Sequence, residues 1–264
     1  MSLSNERFSQ KHVLVTGSKG ILGSEIVSQL LSEGAKVTGL DISSSANSKA
    51  LYEHPNLNSI VCDISEPQEI AQAVNKACEK FGRIDSLHNN AATKTGDLGA
   101  FFAKTLEYSA STWDEVMAVN LRGMFLVARQ VIGQMRAGSS ILQTASIYGS
   151  TMGPDHRIYS GSEYLGIEIS SPAVYTASKA GVHGLTVHLA TEFGPSGIRV
   201  NTLSPGGIFS GQNSAFQNKY SDRIPLRRMA RLDEVAKVAL FLLSEESSYI
   251  TGQNIFVDGG LSAI

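Results

Sequence analysis

His12-Val13-Leu14-Val15-Thr16-Gly17-Ser18-Lys19-Gly20-Ile21-Leu22-Gly23 passes from a short apolar run through a glycine turn into apolar residues at helical spacing, Ile21 to Leu31. Gly34 stops that helix where the next strand must begin, which makes the stretch a βαβ unit. The alternation continues along the chain, with Lys36–Leu40, Ser59–Cys62, Ser86–His88, Ser140–Thr144, Arg199–Leu203 and Asn254–Val257 all reading as strands between helical patterns. Near-continuous apolar strands separated by helices predict an α/β fold of the doubly wound kind, a parallel sheet with helices on both faces. Ligands in such sheets bind beyond the carboxyl ends of the strands, and each motif below follows a strand or opens a helix.

The chain has 264 residues, 42% hydrophobic and 17% charged, which fits one domain around one core and excludes disorder. A formal charge of −2 offers no basic field to nucleic acid. The opening Met1 to Gln10 is polar, and no later run approaches the roughly 18 apolar residues of a membrane span, so the cytosol is the expected compartment. Cys62 and Cys78 read as buried free thiols. No metal site is expected: His183 and His188 are five positions apart and leave different helix faces, and the other histidines are scattered. The expected partners are a small-molecule substrate and copies of the same chain.

A turn built from Gly17, Gly20 and Gly23 lets backbone approach a pyrophosphate whose charge the helix N-terminus stabilises. Asp41 closes the second strand, where an acidic residue accepts the adenosine ribose hydroxyls and repels a 2′-phosphate; this favours NAD over NADP. Lys19 argues mildly for NADP, but it reads as a solvated loop lysine, and Ile42 and Ser43 offer no basic alternative beside Asp41. Asp63, ending the third strand, is placed either to meet an adenine amino group or to cap a helix before Glu66. Asn90, Ala91 and Ala92 leave space for a flat ring or ribose, and Lys19, Ile21, Ile42 and Ile64 complete this end of the expected contact set.

Tyr175-Thr176-Ala177-Ser178-Lys179 puts a phenol and an ammonium one helical turn apart, on one face. An ammonium beneath a phenol favours its ionised form, so the pair can exchange a proton near neutral pH. With Ser146 upstream and the glycine turn, the set predicts a nicotinamide-dependent carbonyl/alcohol oxidoreductase.

In this order the glycine turn, Asp63, Asn89-Asn90-Ala91-Ala92, Asn120, Ser146, Tyr175-x-x-x-Lys179, Ser204-Pro205-Gly206-Gly207-Ile208 and Val257-Asp258-Gly259-Gly260 resemble the short-chain dehydrogenase/reductase family, from about His12 to Gly260. The resemblance implies a Rossmann-type sheet of about seven strands and catalysis by Asn120, Ser146, Tyr175 and Lys179. In the implied roles Tyr175 exchanges the proton and Ser146 bonds the substrate oxygen. Lys179 holds the nicotinamide ribose and Asn120 holds a relay water, while Pro205, Gly206 and Ile208 approach the carboxamide. It also implies a homodimer or homotetramer through the helices expected at Ala118–Met135 and Ala173–Phe193.

Two departures from the family pattern stand out. The spacing Gly-x-x-Gly-x-x-Gly looks like the longer epimerase-type members, where compact members would carry glycine at Ile21. Ser146 and Tyr175 are 29 positions apart (175 − 146), about twice the usual spacing, and the surplus falls in a loop near 149–172. That loop and a segment near 209–227 are the expected substrate walls. His156 and Arg157, in the loop, are candidates to meet an anionic or hydroxyl-rich substrate, which predicts a raised KM for Arg157→Ala. Trp113 reads as packing.

Within the family, Ser146-Ile147-Tyr148-Gly149, the long loop and Tyr249-Ile250-Thr251-Gly252-Gln253-Asn254 look most like the flagellin modification protein A group, associated with nonulosonic sugars. The expected reaction is therefore interconversion of a secondary alcohol and ketone on a sugar-type metabolite. A 3-oxoacyl-type or other small-carbonyl reductase, a sugar-nucleotide epimerase or dehydratase, and a non-catalytic cofactor-sensing module are the alternatives.

Overall fold

The structure, a computed structural model, describes residues 7–43 and 53–264; residues 1–6 of the polar opening segment lie outside them. The strands are β1 (His12–Thr16), β2 (Lys36–Asp41), β3 (Leu57–Val61), β4 (Ser86–Asn89), β5 (Ser140–Thr144), a two-residue pair β6 (Glu163–Tyr164) and β7 (Ile167–Glu168), β8 (Arg199–Pro205) and β9 (Asn254–Val257). Seven of them form one sheet in the order β3-β2-β1-β4-β5-β8-β9, with every neighbouring pair parallel. All seven expected strands are present, β3 lying earlier than read and β8 running two residues longer.

The described helices are α1 (Ile21–Ser32), α2 (Pro67–Phe81), α3 (Leu98–Phe101), α4 (Ala110–Met117), α5 (Met124–Ile132), α6 (Ala173–Phe193), α7 (Ser214–Ser221) and α8 (Leu232–Leu243). Successive strand residues point to opposite faces, so the continuous run Val13-Leu14-Val15 feeds two cores. Val13 and Val15 pack with Ile26 and Leu30 of α1 and with Val235 and Leu240 of α8. Leu14 packs with Ile70 and Val74 of α2, Val127 and Val131 of α5, and Leu189 of α6. Each such side chain contributes about 1.5–3 kcal/mol by leaving water. No described helix is long and apolar enough to cross a membrane.

The helix expected to start at Ala118 is part of a longer run: α4 leads into a π turn over Ala118–Gly123 and on into α5. Such turns insert a residue into the helical register and often mark functional sites; this one carries the fully buried Asn120. The long loop has structure of its own, a 3₁₀ turn at His156–Tyr159 followed by the β6/β7 hairpin. Its tip residues Leu165 and Gly166 sit at φ 53° and 77°, the left-handed pair that matches strand twist in a tight hairpin. Cys62 is a buried free thiol as expected, whereas Cys78, also free, is only half-buried, packed against the core from α2. Trp113 is 36% exposed near the start of α4, so it is not a core residue.

The chain reverses its direction of winding between β1 and β4, and a cleft opens beyond their carboxyl ends. The functional residues gather there.

Candidate active site

A cavity of about 1280 Å³ runs from the glycine turn to the long loop. Every expected cofactor contact except Gly23 lines it, as do Ser146, Tyr175 and Lys179; Asn120 lies behind the wall. Gly23 acts from below, since a β-carbon there would overlap the Gly17 carbonyl. Gly17 itself takes φ 64°, and a β-carbon on it would come to 2.8 Å from the Ala91 α-carbon. Asn90 clamps the turn: its N–H donates to Thr16 Oγ1 at 2.9 Å, and its Nδ2 donates to the carbonyls of Thr16 and Gly17.

The N-terminus of α1 has no side-chain cap and no acidic residue in its first turn, which leaves its amides to an anion. Asp41 Oδ2 accepts from Lys19 N at 2.9 Å and Oδ1 from Ser43 N at 3.0 Å. The carboxylate thus braces the turn and keeps lone pairs for hydroxyl donors. This end fits a dinucleotide. Lys19 is not the solvated residue expected: it is buried, and its ammonium donates to the Ser43 carbonyl at 2.7 Å. Asp63 is not a helix cap either. Its Oδ1 accepts from Ser65 N and Oγ in a local turn, and α2 opens four residues after it, at Pro67.

At the other end, α6 begins at Ala173, so Tyr175 and Lys179 occupy its first two turns and face the end of β5. Lys179 is fully buried; its ammonium donates to the Thr144 carbonyl at 2.9 Å and lies 6.0 Å from the Tyr175 ring centre. Burial lowers its pKa to about 8. Tyr175 is raised above the ordinary phenol value, first by burial and then by the nearby Tyr148, while the Ser146 hydroxyl acts in the opposite sense. Burial is the largest cause of that shift, and Lys179, its ammonium held on a backbone carbonyl, is not among the groups that produce it. The phenol is protonated at neutral pH. Ser146 Oγ also accepts from Tyr148 N at 3.2 Å. Asn120 Oδ1 accepts from Thr93 N at 2.8 Å, and its Nδ2 has no partner among the described residues.

Gly149, at φ 86°, leaves β5 with its α-carbon against the Thr176 carbonyl, so the long loop departs from the first turn of the catalytic helix. His156 and Arg157 do not reach the cavity. Arg157 is 91% exposed and pairs with Asp155 at 2.8 Å, two residues away, which removes the anion-binding role expected for it. The loop contributes Tyr159, Ile169 and Ser171 to the wall, and the later segment contributes Phe216 and Tyr220. Both expected wall segments therefore reach the cavity, although the sequence names none of these residues individually, and Tyr148 enters it only within the Ser146–Gly149 motif. Among the described residues no cluster of side chains could hold a metal.

The "short chain dehydrogenase" family description matches residues 11–169. The chain is a short-chain dehydrogenase. Residues 163–262 match a second description, "Enoyl-(Acyl carrier protein) reductase". Similar members include "3-oxoacyl-[acyl-carrier-protein] reductase FabG" of Thermotoga maritima, 34% identical over 97% of this chain and 99% of that one. Levodione reductase of Leifsonia aquatica is 32% identical over 97% and 96%. A short-chain dehydrogenase of Leptospira borgpetersenii, solved with bound NAD+, superposes with a TM-score of 0.85, is 34% identical and covers 99% of this chain and 96% of that one. This short-chain dehydrogenase is therefore an oxidoreductase of the alcohol/ketone pair. The relatives named here are reductases and dehydrogenases, and the flagellin-modification likeness finds no support among them.

Proposed function

We propose that this dehydrogenase uses NAD to interconvert a secondary alcohol and a ketone on a compact, hydroxylated metabolite of the sugar type. The observation that carries the reading is the convergence of Ser146, Tyr175 and Lys179 with the glycine turn on one cavity, with Asp41 at its far end. A nicotinamide dinucleotide bound there supplies the hydride donor or acceptor. Tyr175, protonated at neutral pH, gives its proton to the carbonyl oxygen in reduction and recovers it in oxidation. Ser146 Oγ holds that oxygen, and Lys179 would hold the ribose from its seat on Thr144. Asn120 would anchor the relay water through Nδ2, and Asp41 would accept the adenosine ribose hydroxyls. The enlarged, aromatic substrate walls support a specialised substrate.

A 3-oxoacyl reductase using NADPH is the second reading, favoured by the FabG relative and by Lys19 beside the Asp41 end. Calorimetric titration with NADH and NADPH separates the two, with Asp41→Ala alongside. Preference for NADH that Asp41→Ala abolishes supports the first, and a panel of sugar alcohols and keto-sugars is then assayed with that nucleotide. Tighter NADPH binding with turnover of an acetoacetyl thioester supports the second. Binding of neither nucleotide overturns both.

We infer a homodimer or homotetramer through α5 and α6, whose outward sides expose Phe125 and Val187. Light scattering that returns a monomer at assay concentrations would remove this.

A further inference from the structure

The loop at 149–172 and the segment at 209–227 meet over the catalytic tyrosine in an aromatic wall. Tyr159 and Phe216 have ring centres 5.8 Å apart, and Phe216 stacks on Tyr220 at 5.7 Å. Tyr148 joins them in one cluster with Ile147 and Met229, and Tyr175 packs against it. All of these line the cavity. Gly207 makes room for the wall, since a β-carbon there would overlap the Tyr220 ring.

Two features decide what this wall can take. None of the side chains of this cluster is charged, so an ionised group pressed against their faces would lose water; the charges near it include Arg223 by Tyr220, and Lys94 and Glu163 elsewhere in the cavity lining. Flat aromatic faces instead match the apolar C–H faces of a ring. The second feature is Tyr148. It is 7% exposed, and its hydroxyl lies within hydrogen-bonding reach of the Tyr159 phenol but meets full hydrogen-bond geometry with none of the described residues. A buried hydroxyl left in that state is costly, and a ligand oxygen would relieve it. Tyr148 follows Ser146 by two residues and lies near enough to Tyr175 to disfavour its ionisation, so the relieved oxygen would sit close to the reacting carbonyl.

We propose that Tyr148 determines specificity by hydrogen-bonding a second oxygen, hydroxyl or keto, on a neutral ring whose carbonyl is handled by Ser146 and Tyr175. The proposal rests on the dehydrogenase reading above and narrows its substrate to ring hydroxyketones and diketones.

The test measures NADH-dependent reduction of cyclohexanone, 2-hydroxycyclohexanone and 4-hydroxycyclohexanone by the full-length protein and by Tyr148→Phe. The native protein should favour one hydroxyketone over cyclohexanone by about tenfold or more in kcat/KM, because a site built around a hydroxyl rejects the analogue lacking it. Tyr148→Phe should bring that ratio to about threefold or less. Its melting temperature should change little, since the deleted hydroxyl meets full hydrogen-bond geometry with no described residue. A preference that survives Tyr148→Phe, an equal loss on all three ketones, or a native enzyme that does not discriminate overturns the proposal alone. So does absence of turnover by a protein that binds NADH. Absence of binding to NADH and NADPH overturns the dehydrogenase reading itself.

Discussion

The α-carbon of Gly23 lies against the carbonyl oxygen of Gly17, so that the first turn of α1 is packed directly beneath the bend that precedes it. Turn and helix are one unit, and a methyl group at position 23 would push them apart. Gly23→Ala should weaken NADH binding by tenfold or more, about 1.4 kcal/mol, and lower the melting temperature. Gly20→Ala, whose β-carbon would meet only the Gly17 oxygen at 3.3 Å, should be milder. Calorimetry on both variants checks the order, and equal affinities would deny the turn its phosphate role.

Burial keeps the Tyr175 phenol protonated, which suits it to donate in the reductive direction. Tyr175→Phe removes that proton and should lower kcat by about 10²–10⁴-fold, the usual worth of general acid catalysis. NADH affinity should stay within about twofold, because the ring remains. Stopped-flow reduction beside a binding titration separates these two effects.

Lys179 titrates near pH 8 in the folded protein against 10.5 ordinarily. Between those values the unfolded chain holds more protons at this residue than the folded one. Stability therefore climbs with pH across that window, and below it the buried ammonium is a full burden. Lys179→Met should flatten the rise, keep or increase the melting temperature at neutral pH, and abolish turnover. Thermal melts at intervals from pH 7 to 10.5 give the answer; an unchanged slope would mean that another group produces it.

His88 lies fully buried on β4, its Nε2 2.8 Å from Thr144 Oγ1, and burial lowers its pKa from 6.5 to about 3. The unfolded chain takes up a proton here that the folded chain refuses, so stability is lost as pH falls from about 6.5 toward 3. His12 is shifted the same way and adds to the loss. His88→Val should flatten this acid limb in urea melts, leaving the His12 part behind.

Arg157→Ala should leave kcat and KM within about twofold of native, because its guanidinium pairs with Asp155 and does not line the cavity. A raised KM in steady-state assays would return this residue to the substrate site.

The central strand β1 was legible because a strand buried on both faces is apolar along its length, as Val13-Leu14-Val15 is, whereas the half-exposed β3 and the polar-bearing β4 were legible through their alternation with helices. The catalytic pair was legible because a helix brings positions 175 and 179 to one face. The two segments that wall the cavity were legible too, but their aromatic meeting was not, since Tyr148, Tyr159 and the α7 pair Phe216 and Tyr220 come from separate segments that share no periodicity. The seat of Lys179 was equally hidden: its partner is the backbone carbonyl of Thr144, which any residue could supply. Arg157 misled because an exposed ion pair with Asp155 and a ligand contact look alike in sequence.

Gly149 presses on the Thr176 carbonyl, and Pro172 leads straight into the same helix, so the long loop leaves and returns at points anchored beside one another. What lies between behaves as an exchangeable cassette. Its length and its side chains can drift, or be grafted from a sister enzyme, while the proton-handling residues keep their positions. New substrate ranges are thus open to this scaffold through a stretch of about twenty residues, with the chemistry carried over intact.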